Sequence, residues 1–196
     1  MPSTRPRWKV ADKGVAMSYE LACCVQVIDA GTKNTVNFGD QIDDRQIFIG
    51  WEILVDQGIS SVSRNVYKSY DVKWSETSEL RKDVKNWLGA ELTDERIKRF
   101  TPKSLLGKYC NLELAPKPND DGVEIFEIKA VAPLPIETDK GTLPKPLTSF
   151  QIFTISEPDM DLLESLPVEI KAQIKNSPEY IWSQKHKNQS DDDSYD

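Results

Sequence analysis

Apolar and polar residues alternate along residues 18–29 (SYELACCVQVID), and Tyr19, Leu21, Cys23, Val25 and Val27 share one parity. That pattern predicts a β-strand. Ala30-Gly31-Thr32 is expected to end it, ahead of a polar loop over 34–44. Residues 45–55 (RQIFIGWEILV) alternate again, with Ile47, Ile49, Trp51, Ile53 and Val55 on one face. The other face carries Phe48, Gly50, Glu52 and Leu54, so it is also partly apolar. A strand apolar on both faces belongs to a barrel or sandwich interior, and Gly50 marks a bulge or tight bend. After a loop at 57–63, residues 64–74 (RNVYKSYDVKW) interleave aromatic and basic side chains.

The period then becomes helical. Leu80, Val84, Trp87 and Leu88 form one stripe over 77–88, with Gly89 as the stop. Thr93 is placed to cap a short helix over 94–100, and Thr101-Pro102 opens a brief turn ending at Gly107. Strands follow at 108–115 and 123–131, joined by Pro118-Asn119-Asp120-Asp121-Gly122 as a hairpin turn. Residues 133–146 are proline-rich and read as an extended arm, which either pairs two copies into a homodimer or wraps its own barrel. A short strand at 150–155 precedes helices at 167–175 and 178–184, the second capped by Ser177.

The expected fold class is mainly β: a five-stranded OB-like barrel with a helical insertion (75–107) between strands 3 and 4 and short C-terminal helices. The barrel domain spans 15–184, including a C-terminal extension over 133–184. A basic arm (1–14) precedes it and a disordered acidic tail (185–196) follows. There is no β-α-β alternation, which disfavours a Rossmann-type sheet.

Charge sharpens this picture. The chain carries a formal −7, the wrong sign for a nucleic-acid binder. Part of it is local, because residues 188–196 hold Asp191, Asp192, Asp193 and Asp196 and no base. At the other end Arg5, Arg7, Lys9 and Lys13 face only Asp12. A basic head and an acidic tail often mark interaction arms.

Candidate chemistry is sparse. The single histidine, His186, sits in the expected tail, which argues against nucleophile–histidine catalysis. Cys23, Cys24 and Cys110 form no C-x-x-C pair and read as small buried hydrophobes, so neither a metal nor a cofactor is implied. Leu105-Leu106-Gly107-Lys108 is a helix stop before a strand rather than a phosphate loop. One enzymatic alternative stands: Glu127 and Lys129 on a strand, with Asp120 and Asp121 before them, match in outline a magnesium-dependent nuclease. The competing reading is a solvated strand face. No apolar stretch approaches the roughly 18–20 residues that span a bilayer, and the head has no secretory h-region, so the cytoplasm is expected.

Single-strand binding needs flat π-surfaces and cations, and base stacking contributes about 1–3 kcal/mol per base. Residues 64–74 supply both: Arg64, Lys68 and Lys73 for phosphates, and Tyr67, Tyr70 and Trp74 for bases. The competing reading is a core strand anchored by its tyrosines. Trp51 and Trp87 read as core and Trp182 as packing a C-terminal helix onto the barrel, while Trp8, beside Arg5, Arg7 and Lys9, either stacks on a base or is the lone aromatic of a flexible arm. The tail, with Asp191, Asp192, Asp193, Tyr195 and Asp196, imitates a phosphate chain suited to autoinhibition or partner recruitment. Its competing role is simple solubilisation.

Several blocks also carry a family resemblance: Trp51-Glu52, residues 63–67, Ser78-Glu79-Leu80-Arg81-Lys82-Asp83 with Trp87 and Gly89, Leu105-Leu106-Gly107-Lys108 with Cys110, Leu134-Pro135, and residues 174–180 (IKNSPEY). Their order over 15–180 resembles a family of small phage-encoded proteins read as OB-fold single-stranded DNA-binding proteins. The resemblance implies a replication or recombination role in the infected cell, DNA in the barrel groove, and an acidic tail that contacts host or phage replication proteins. Better-known phage binders end in an aromatic residue, whereas here Asp196 follows Tyr195. A protein-only module, such as an inhibitor of a host enzyme, is the remaining alternative, which the −3 left on the chain without the four tail aspartates keeps open.

Overall fold

A computed structural model describes residues 18–37, 40–56, 61–88, 93–118, 124–139, 141 and 143–192. Strands β1 (Ser18–Asn37), β2 (Asp40–Asp56) and β3 (Ser61–Asp71) form an antiparallel meander. Helices α1 (Glu79–Leu88) and α2 (Asp94–Arg99) and a 3₁₀ turn (Pro102–Leu105) follow. The hairpin β4 (Tyr109–Pro118) and β5 (Glu124–Ala132) then joins β1 through β4, giving the strand order β3-β2-β1-β4-β5. A sixth strand, β6 (Gln151–Phe153), runs parallel to β1. Helices α3 (Met160–Ser165), α4 (Val168–Asn176) and α5 (Pro178–Asp192) complete the chain.

The sheet is mainly antiparallel and has six strands, not five, and it does not close. Among the described residues no ladder joins β3 to β5. The reason is α1, which lies across the gap. Its Leu80, Val84 and Trp87 enter the main core, Asp83 bonds to β3, and the Asn86 amide donates to the Val131 carbonyl of β5 at 2.6 Å. Ser78 starts the helix by accepting from the Arg81 amide at 3.3 Å, and Thr93 caps α2 in the same way.

Two bulges in β1 overturn the simple alternation expected there. Val25 and Ala30 are each inserted without a partner in β2. Each insertion switches parity. Ala22 and Cys24 therefore face the main core before the first bulge, and Val27 faces it after. Of the five residues expected on one inner face, Val27 alone belongs to that core, and Tyr19 is half exposed. Nor does Gly31 end the strand. It adopts φ +71° and lets β1 continue to Asn37, so the expected loop at 34–44 is largely a β-ribbon.

The sheet separates two cores. The first holds Trp51 and Trp87, with ring centroids 5.7 Å apart, and Cys24 and Cys110. All three cysteines are buried, as expected. The second lies on the opposite face, where Ile28 and Ala30 meet Phe153, Ile155, Leu163, Ile170 and Ile174 from β6 and the C-terminal helices.

The proline-rich segment wraps its own sheet. The Tyr109 hydroxyl donates to the Pro144 carbonyl, and the buried Glu52 carboxylate accepts from the Leu147 and Thr148 amides at 2.7 and 2.6 Å. Trp182 does not pack α5 onto the sheet: it is 63% exposed, and Tyr180 takes that role. Helix α5 also runs to Asp192 rather than stopping near Gln184, and α3, capped by Asp159, has no counterpart in the expected elements.

Gly31 is the tightest joint between sheet and helices. A Cβ there would lie 2.5 Å from Ser177 Cβ and 2.8 Å from Ile155 Cδ1. Gly31→Ala combines a left-handed backbone with overpacking, and is expected to lower stability by about 2 kcal/mol in urea unfolding. Gly141→Ala, where the nearest atom is the far end of the Asp139 side chain at 3.3 Å, is the control and is expected to change little.

Candidate nucleic-acid interface

The aromatic-basic run of β3 does not form one surface. Tyr70 points into the main core and is 2% exposed, so it cannot present a ring to a base without opening that core. Its hydroxyl donates to Asp83 Oδ2 at 2.8 Å, and burial, then the Asp83 charge, push the phenol far above its ordinary range. Lys68 shares that carboxylate at 2.8 Å and also reaches Glu79 at 2.8 Å. Burial alone would lower the Lys68 ammonium, but the bonds to Asp83 and Glu79 leave it raised. This lysine is thus spent on holding α1 to β3.

Tyr67 lies on the other face of β3, packed against the second core. Its hydroxyl donates to Gln26 Oε1 at 2.7 Å, and its ring lies over Gly50, where a Cβ would come within 2.8 Å. Gly50 is therefore a close approach, not a bend. Trp74 is half-buried and meets Phe100 edge-on at 4.9 Å. Lys73 is exposed but bonded to Asp44 at 2.6 Å. Of the six expected contacts, Arg64 is exposed with no carboxylate partner among the described residues; it stands 4.9 Å above the Phe126 ring. Part of the outer β1–β2–β3 face is covered by the chain itself, through bonds of Thr148 to Asn65, Gln151 to Gln26 and Gln173 to Gln46, while Ser69 and Asp71 stay exposed.

Glu127 and Lys129 do share an exposed strand face, and they bond directly at 2.8 Å. That bond, then the nearby Lys129, Lys117 and Lys68 charges, hold the Glu127 carboxyl below its usual range. Asp120 and Asp121 lie outside the described residues. Among the described residues no cluster of three His, Cys, Asp or Glu side chains could hold a metal ion, and no helix is long and apolar enough to cross a membrane. The basic arm with Trp8, and Asp193, Tyr195 and Asp196 of the tail, also lie outside the described residues, whereas Asp191 and Asp192 form the end of α5.

A different set of cations is left free. Residues 96–108 (RIKRFTPKSLLGK) contain five basic residues and no acid, in a chain of net −7. Arg96 and Arg99 sit one turn apart on α2, Lys103 is on the 3₁₀ turn, and Lys108 directly precedes β4. All four are exposed, and none forms an ion pair among the described residues. Ile97 and Leu105 bury their side chains and fix this stretch on the body. Phe150, 55% exposed, lies with its ring edge 3.3 Å from where a Gly107 Cβ would stand. An exposed aromatic therefore adjoins the Lys108 end of the run. The run is visible in the sequence as five bases without an acid over 96–108, directly after Asp94 and Glu95, but its helical and turn residues lack the aromatic alternation that draws attention to residues 64–74.

No protein-family model matches the chain, and no curated protein or solved structure matches it.

Proposed function

We propose that this protein binds single-stranded DNA with little sequence preference, and that the exposed cations Arg96, Arg99, Lys103 and Lys108 carry the phosphate contacts. The observation that supports this reading is the run of exposed cations at 96–108, which follows Asp94 and Glu95 on α2 and forms no ion pair among the described residues, in an otherwise acidic chain. The strand order β3-β2-β1-β4-β5, with α1 between β3 and β4, supports an OB-like ancestry in which α1 occupies the closing seam. The protein's role is to protect and organise DNA in phage replication or recombination, as the resemblance in its sequence implies. Its acidic tail competes with DNA for the same cations and recruits replication proteins.

Anisotropy of a labelled single-stranded oligonucleotide, titrated at several salt concentrations, tests this. Four phosphate contacts give a log–log salt slope of roughly −3. Replacing Arg96, Arg99, Lys103 and Lys108 by alanine removes most of the affinity and flattens that slope. Truncation after Lys187 strengthens binding. Failure of the full-length protein and the truncation to bind at low salt would end the reading and turn attention to protein partners.

A further inference from the structure

A cleft of about 620 Å³ opens between the end of α1, the start of β4, residues 133–138 and Leu143. Leu88, Leu134 and Leu143 line it with apolar groups, Tyr109, whose hydroxyl is bonded to the Pro144 carbonyl, adds an aromatic ring, Thr138 adds a hydroxyl, and Lys108 adds a cation. It is the right size for a small organic group, since ligand pockets run to about 300–1,000 Å³. The Lys108 ammonium is exposed and belongs to the unpaired cation run described above. An occupant with an apolar planar body, hydrogen-bonding edges and an attached anion satisfies all of these features at once. Ile136, fully exposed beside the cleft, adds an apolar contact at its lip.

We propose that this cleft receives an unstacked nucleobase of the bound strand, with the adjoining phosphates on Lys103 and Lys108. The inference rests on the reading of the protein as a single-strand binder and adds the subsite that senses bases. It separates two kinds of contact. Arg96, Arg99 and Lys103 hold the backbone of any single strand, while the cleft distinguishes a strand that carries bases from one that does not.

The test compares two labelled strands of equal length, an oligothymidylate and a strand of abasic spacers, on the full chain. Wild type is expected to bind the oligothymidylate about tenfold more tightly. Leu143→Trp, which fills the cleft, is expected to cut that preference to less than about threefold while leaving affinity for the abasic strand unchanged. Ile136→Ser, an uncharged change at a fully exposed position, is expected to reduce it in the same direction. A 2-aminopurine within the strand should brighten on binding wild type and not on binding Leu143→Trp. If wild type binds neither strand, the reading as a single-strand binder falls and the cleft with it. If wild type binds both strands equally, or both variants keep the full preference, the cleft assignment alone is overturned.

Discussion

Raising the pH from 8 to 11 is expected to remove at least about 5 kcal/mol of folding stability. The source is the pair of thiols of Cys24 and Cys110, both fully buried in the main core. Burial pushes each well above the ordinary thiol range, and the neighbouring sulfurs add to the shift. Thiols whose native pKa is raised bind more protons in the native state than in the unfolded chain once pH passes about 9. Their contribution is complete below that value and is lost as pH rises, at about 1.4 kcal/mol per pH unit for each thiol. Two thiols over two pH units give the stated loss. Cys23, raised by burial to about 11, and Tyr70 add to it in the same direction. Guanidinium unfolding at pH 8, 9.5 and 11 measures the effect. Cys110→Ala should be less stable at pH 8 but lose stability less steeply with pH, by about 1.4 kcal/mol per pH unit above pH 9, and equal steepness in the two proteins would refute the assignment.

The second large effect concerns the joint between α1 and β3. Asp83→Ala is expected to cost about 3 kcal/mol, because one carboxylate oxygen accepts from both Lys68 and Tyr70. Its removal strands a mostly buried ammonium and an almost wholly buried phenol, and a broken buried pair is far more costly than a lost surface one. Glu79 still reaches Lys68 at 2.8 Å, but it is well exposed and cannot serve the Tyr70 hydroxyl. Asp83→Asn keeps an acceptor and should lose about half as much. Urea unfolding of both variants decides the matter, and a loss below about 1 kcal/mol for Asp83→Ala would show that the apolar stripe of α1 holds the joint alone.

That same joint explains why residues 64–74 do not form one exposed strip. Residues 64–74 look like a binding strip because their aromatic and basic residues are adjacent. What disposes of Lys68 and Tyr70 is Asp83, on a helix whose placement no local pattern reveals. Tyr67 is taken out of play by helices nearly a hundred residues later, packing on a face that alternation alone marks as partly apolar. Trp182 was misjudged for the converse reason, since a tryptophan two residues after Tyr180 gives no sign of which ring turns inward. The elements themselves were legible wherever capping or periodicity is local: Thr93 before α2, Ser177 before α5, and the Leu80–Val84–Trp87 stripe. The parity of β1 was not, because a bulge at Val25 leaves no trace in composition.

Two halves of β1 find their second partners at very different times. Over Ser18–Cys23 the partner is β4, and over Gln26–Ile28 it is β6. As the chain leaves the ribosome, β1 to β5 can assemble around the main core while residues 133–180 are still being made. During that interval Ile28, Phe48 and Tyr67 face water on the uncovered side of a finished sheet. The nascent protein thus passes through a stage with a sticky outer face, and translation that stalls before β6 should leave a chain prone to chaperone capture or self-association, even with its first core intact.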